Sequence, residues 1–189
     1  MKNEVELVEE ISKDLKDFEA LLKGKWKFNA PPEELKIDLP KGIFDTADDK
    51  RKELVFIENE VIKTNVSYHL MLLDFYEWLL NRFKIGLTFR EMLIKESICL
   101  IGNICAALVK KLPGIDGKGV KPCFDKLKNK GVIDDKLRED LIWIWNTRNK
   151  EHIENLPERE YRKYNEGNYK KAREALSSLI NALNKGFGK

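Results

Sequence analysis

Apolar residues in this chain fall at spacings of three and four almost throughout, and no stretch of useful length alternates apolar and polar or carries a hairpin signature. A sheet has nothing to be built from here. An all-α fold follows, and the helix breakers set its elements. A first helix covers about residues 3 to 23 and ends before "GKW". Pro31, Pro32 and Pro40 in "KFNAPPEELKIDLPKGIF" forbid a continuous helix in the connector that follows. Asp45 or Thr46 then caps a long helix to about residue 84, with an apolar stripe of Leu54, Ile57, Val61, Tyr68, Leu72, Tyr76, Leu79 and Phe83. Gly86 breaks it, and Thr88 with Glu91 reads as a capping box for a helix over residues 89 to 111.

After "LPGIDGKG" come a short basic helix around 121 to 130 and a stop at Gly131. A helix capped by Asp134 or Asp135 runs on to about Asn155. Pro157 ends it, and a last helix covers about 167 to 184. Short connections join antiparallel neighbours. The expected architecture is therefore an up-and-down bundle of four main helices with an extra N-terminal helix and a short basic helix. The 189 residues suit one domain, with residues 1 to 45 as N-terminal helix and connector and 46 to 189 as the bundle.

Charge is mixed rather than extreme. The formal net charge is +3, which excludes a histone-like polycation, but it is unevenly spread: residues 1 to 60 carry −5 and the rest +8. Cys99, Cys105 and Cys123 form no CxxC pair and are odd in number, so neither a disulfide framework nor a zinc knuckle is encoded. The start, "MKNEVELVEE", has no apolar signal core, and the longest apolar run, "ICLIGNICAALV", is short of the roughly 20 residues of a membrane span. A soluble, cytoplasmic protein without metal or cofactor is expected. No GxGxxG, P-loop or HExxH sequence is present.

The stretch "WNTRNKEHIEN", residues 145 to 155, carries the most specific chemistry. At about 100° per residue, Arg148 and His152 continue the apolar stripe of Leu137, Leu141, Ile144 and Trp145, with Asn149 on its shoulder. A guanidinium has no neutral form, so this end of the stripe must face a carboxylate, a cleft or another chain. A helix leaving the core, with Arg148 and His152 simply meeting solvent and the negative end of the helix dipole, satisfies the same pattern. Chemically, an i, i+4 pair sets a permanent cation beside a base of near-neutral pKa, an arrangement suited to phosphodiesters: the base deprotonates a ribose 2′-hydroxyl while the guanidinium holds the phosphate.

The residues "WNTRNKEH", near the end of the penultimate long helix, resemble the arginine, polar residue, histidine motif of the HEPN superfamily (higher eukaryotes and prokaryotes nucleotide-binding). The resemblance extends over the architecture from about residue 46 onward, including the helix with "KESICLIGNICAAL". Many members are metal-independent endoribonucleases, often toxins or defence proteins, whose composite site forms across a homodimer. It implies Arg148 and His152 as the catalytic pair, with Asn149 as the polar residue after the arginine. It also implies a homodimer about this helix and an antitoxin protein as a partner. A longer gap between arginine and histidine is usual; here Asn149, Lys150 and Glu151 stand between them. The tyrosine that some members carry two residues after the histidine is Glu154 here, so control at that residue is not expected.

Acid and base catalysis together want two proton carriers, and the chain has two histidines. His152 from each of two subunits would supply both. His69, in "NVSYHLMLL", reads as a core histidine among apolar helix positions. Glu96 in "IKESI" is a candidate to neutralise or orient Arg148 from the neighbouring helix, or else an exposed helix-face glutamate.

Two basic stretches are candidates for RNA contact, although solvated helix faces have the same composition. One carries Lys126, Lys128 and Lys130. The other interleaves Arg162, Lys163 and Lys170 with Tyr164 and further tyrosines. Two other readings remain beside the ribonuclease: a non-catalytic helical module binding RNA, a nucleotide or a partner protein through the same cleft, and a dimerisation domain in which the pair anchors the interface.

Overall fold

The computed structural model describes residues 3–25, 42–115, 117–150 and 163–188, with side chains from 3–16 in the first of these. All regular structure among them is helical: α1 (Glu4–Lys25), α2 (Ala47–Lys52), α3 (Glu60–Arg82), α4 (Leu87–Val109), α5 (Val120–Asn129), α6 (Asp135–Arg148) and α7 (Glu166–Phe187). The chain, read from sequence as one domain, divides into two compact units, Met1–Ile43 and Phe44–Lys189.

In the first unit, α1 starts on a reciprocal cap. The Asn3 side chain accepts from the Glu6 amide at 2.8 Å, and the Asn3 amide donates to the Glu6 carboxylate at 3.1 Å. Val5, Leu7, Val8, Ile11 and Leu15 of α1 are exposed.

The second unit is a bundle of four long helices, α3, α4, α6 and α7, with the short α2 and α5 packed on it. Its centre is α4, which touches α3, α5, α6 and α7. That position explains its composition, since a helix with neighbours on every side must be apolar on every side. Ile94, Ile98, Ile101, Ile104, Leu108 and Val109 are all buried. By length and composition α4 is also apolar enough to cross a membrane, yet the apolar residues that give it this character form the core of the bundle.

The single long helix expected from residue 46 to 84 is two helices. Thr46 caps α2, its hydroxyl accepting from the Asp49 amide at 3.2 Å while the Asp49 carboxylate accepts from the Thr46 amide. The helix stops at Lys52, and Asn59, accepting from the Ile62 amide at 3.0 Å, starts α3. The reason lies in "LVFI": Leu54, Phe56 and Ile57 are all buried, and residues 54 and 56 point about 200° apart on a helix. Leaving the helix lets all three enter one core. The Glu53 carbonyl at the break accepts from the Asn184 side chain at 2.8 Å.

The expected face of α3 also differs. Val66, Leu70, Leu73 and Leu80 are buried, whereas Val61, Tyr68, Leu72 and Phe83 of the expected stripe are exposed. Both sets have helical spacing, so periodicity alone does not choose between them. Helix α4 begins at Leu87 behind Gly86, with no side-chain cap. Thr88 and Glu91 therefore lie inside the helix, and Glu91 is buried.

The buried hydroxyls and the buried Lys50 all find partners. The hydroxyls of Ser67, Ser97 and Thr147 donate to the carbonyls of Lys63, Leu93 and Trp143, one turn back, at 2.7–3.0 Å. The buried Lys50 reaches Asp45 and Asp74, each at 2.8 Å. Asp74 also takes Arg173 at 3.1 Å, so a single carboxylate of α3 ties α2 to α7. Arg173 extends the chain of charges to Glu77 at 2.9 Å, and Glu77 accepts from the Tyr169 hydroxyl at 3.0 Å.

Candidate functional site at the end of α6

Helix α6 opens on Asp134, whose carboxylate accepts from the Leu137 amide at 2.7 Å, and it buries Leu141 and Ile144 against α4 and α7. It ends at Arg148, where the Asn149 amide bonds the Trp145 and Thr147 carbonyls and the Lys150 amide also returns to Thr147. That tightening of the last turn breaks the α-helical ladder. The helix read from the sequence runs on to about Asn155, and residues 151–155 lie outside the described residues. His152 itself lies outside the described residues, as does Arg162.

Arg148 is half-buried. Its Nε donates to Oδ1 of Asn103 on α4 at 2.8 Å, Nη1 makes a long contact with the Asn149 side-chain oxygen at 3.4 Å, and the guanidinium lies 5.2 Å from the Trp145 ring. Each of these partners is neutral. Among the described residues no carboxylate forms an ion pair with Arg148, and the neutral partners orient its charge. An amide and an aromatic face holding a guanidinium leave most of its donors for an anion.

The close approach that makes this contact depends on Gly102. A Cβ there would stand 2.9 Å from Arg148 Cβ and 3.2 Å from its Cγ. A glycine in a helix interior costs about 1 kcal/mol relative to alanine. Here it clears the path of the Arg148 stem across α4, and the next residue, Asn103, receives the guanidinium.

The residue of α4 that meets Arg148 is thus Asn103 rather than Glu96. Glu96 is exposed seven residues earlier, about two turns away along α4. The signal for Asn103 was its being the one amide in "ICLIGNICAALV", at an exposed position of α4. His69 is another correction. It is exposed rather than in the core, because it sits on the outer of the two apolar faces of α3. Its Nδ1 lies 2.7 Å from the Asn65 carbonyl oxygen.

The basic stretches are largely paired. Lys128 of α5 meets Asp135 at 3.0 Å, and Arg138 of α6 takes Asp125 at 2.6 Å, so the α5–α6 contact is bridged twice. Lys126 and Lys130 are exposed on the same segment. Lys170 is exposed with Glu174 at 3.9 Å, while Lys171 bonds Asp140 at 2.9 Å and covers the Trp143 ring at 4.7 Å. Lys163 is exposed, and Tyr164 packs half-buried against the core rather than presenting its ring to solvent.

Cys99, Cys105 and Cys123 are buried free thiols. Burial pushes the Cys105 thiol up to about 12, and the Cys123 sulfur donates to the Gly119 and Ile115 carbonyls at 3.2 and 3.5 Å. None is placed for nucleophilic chemistry. No known protein-family model matches the chain, and no curated protein or solved structure proves significantly similar to it.

Proposed function

We propose that the protein is a metal-independent endoribonuclease of the HEPN type, with Arg148 holding the scissile phosphate and His152 carrying the proton. The observation that supports this most is the state of Arg148: a half-buried guanidinium oriented by the neutral Asn103 amide and the Trp145 ring, with no described carboxylate on it. A cation kept in place by neutral partners favours a ligand with its own negative charge.

In the reaction, an imidazole takes the proton from a ribose 2′-hydroxyl as that oxygen bonds to phosphorus. The bond from phosphorus to the 5′ oxygen breaks, and a second proton carrier protonates the leaving oxygen. The products are a 2′,3′-cyclic phosphate and a 5′-hydroxyl. His152 of each of two copies supplies the two carriers in a homodimer about the end of α6, with Asn149 beside Arg148 and Asn103 on the neighbouring helix orienting it. Lys126, Lys130, Lys163 and Lys170, exposed as they are, contribute to the hold on RNA. A cytoplasmic toxin or defence protein, restrained by an antitoxin protein, is the setting that this chemistry fits.

The test is incubation of the full chain with end-labelled RNA and a DNA of the same sequence in EDTA. Cleavage of RNA alone, leaving cyclic phosphate ends, is expected. His152→Ala should lose about 10²–10⁴ of the rate, and Arg148→Ala about 10²–10³. Cleavage of DNA, or activity only with added magnesium, overturns the mechanism. RNA binding that weakens in Arg148→Ala without scission by the parent protein supports the second reading, a non-catalytic RNA-binding module.

A further inference from the structure

Between α3 and α4 the surface is grooved. Two adjoining cavities share Ile62 and Ala107, one of about 200 Å³ reaching His69 and Asn103, the other of about 340 Å³ reaching Lys111 and Phe187. The smaller one has two kinds of wall. Ile62, Val66, Ile104 and Ala107 give it an apolar floor, and Asn65, His69 and Asn103 give it a polar edge.

The hydrogen bonds of that edge determine what it offers. A backbone carbonyl only accepts, so the Asn65 oxygen 2.7 Å from His69 Nδ1 keeps the proton on Nδ1 and leaves Nε2 as the ring atom available to a ligand. A guanidinium only donates, so Arg148 fixes Oδ1 of Asn103 toward itself. The Asn103 amide group is then left to donate, and Asn103 becomes the link between the groove and the arginine. No carboxylate lines the smaller cavity. The larger one is lined by both Glu58 and Lys111, the latter just past the C-terminal end of α4.

A ligand that satisfies these walls carries an anionic group at the Arg148 end, hydroxyls or ring nitrogens for two amides and an imidazole, and a flat apolar face for the floor. A purely apolar ligand would leave Asn65, His69 and Asn103 desolvated, and an acidic peptide would have no use for an imidazole lone pair. We infer that the α3–α4 groove binds one nucleotide of the RNA next to the scissile phosphate, with His69 Nε2 accepting from a ribose hydroxyl, the Asn103 amide donating to the phosphate and the base on the apolar floor. This rests on the ribonuclease reading for the identity of the strand, and adds to it a binding channel on a face of α3 that the motif does not touch.

The experiment uses the ring signals of the two histidines in a carbon-resolved NMR spectrum of the full chain, assigned with His69→Gln. The probe is adenosine 3′-monophosphate. The His69 signal is expected to shift in a saturable way. Asn103→Leu and His69→Gln, each removing one hydrogen bond, should weaken the affinity about tenfold, read for His69→Gln from the nucleotide's own signals. Arg148→Ala should weaken it further while the helical content stays unchanged. A response at His152 alone, or at neither histidine at millimolar nucleotide, overturns the inference. The two proposals separate cleanly: a His69 response with no RNA cleavage in EDTA leaves the channel standing and removes the nuclease, whereas cleavage with a silent His69 does the reverse.

Discussion

Asn103 orients the Arg148 guanidinium, and in the proposed site it sets how much of that charge reaches a ligand. Replacing it by aspartate keeps the geometry and puts a carboxylate 2.8 Å from the guanidinium, turning an oriented cation into a closed ion pair. The expected outcome for Asn103→Asp is a fold as stable as the parent to within about 1 kcal/mol. RNA affinity should fall, and the slope of log affinity against log salt should become shallower by about 1. Filter binding over a salt series reads both, and an unchanged slope would show that Arg148 does not face the phosphate. Gly102→Ala tests the same contact sterically. It gains about 1 kcal/mol of helix propensity but sets a methyl 2.9 Å from Arg148 Cβ. A net loss of about 1–3 kcal/mol in chemical denaturation is expected. At this scale the sequence was a partial guide. An arginine continuing an apolar stripe marks itself, and the structure places Arg148 at the end of that stripe. Asn103 and His69 were harder to read, because which polar residue meets which depends on how two helices are rotated, and spacing within one helix carries no such information.

Helix types and most boundaries followed from prolines, glycines and caps, while the errors fell where a local pattern had two solutions. Leu54, Phe56 and Ile57 continue an apolar run that reads as helix, and only burial of all three explains why the chain leaves the helix there. The same break places Lys50 under α3, with a testable result. Burial by itself would lower its pKa, but the hydrogen bonds it donates to Asp45 and Asp74 win and raise it above the usual 10.5. A group raised in the folded state contributes stability that is complete below 10.5 and is lost as pH climbs through the higher folded value. Denaturation midpoints should therefore fall above pH 10.5 more steeply for the parent than for Lys50→Met; parallel curves would refute the assignment. Asp74→Asn removes the shared partner of Lys50 and Arg173 and should cost about 1.5–3 kcal/mol, the range for hydrogen bonds to charged groups. Asp49 works in the opposite direction. Its hydrogen bond from the Thr46 hydroxyl, with help from Lys52, lowers it to about 2, so the α2 cap holds above the ordinary value of 3.8 and fades as pH falls toward 2.

The second unit has its own core, wrapped round α4, and the division at Ile43–Phe44 leaves that core whole. A fragment of residues 44–189 should fold cooperatively by itself, with a melting temperature within a few degrees of the full chain. A fragment that stays unfolded by circular dichroism would show that the first unit is part of the folding unit. The all-helical class was readable from the whole sequence because every segment agrees on it. How the helices of the bundle are rotated against one another was not, since no single helix face declares its partner. The three sealed cysteines make the bundle its own stopwatch. Two of them, Cys99 and Cys105, are on the central helix and the third, Cys123, is on the peripheral α5. A reagent that attacks only thiolates has no access to any of them until the helix that holds it swings free, and labelling rates then count openings. The pair on α4 should react together, at the rate of global unfolding. Cys123 should react first whenever α5 detaches alone, which would make one thiol a reporter of how the rim of the bundle breathes and two a reporter of its heart.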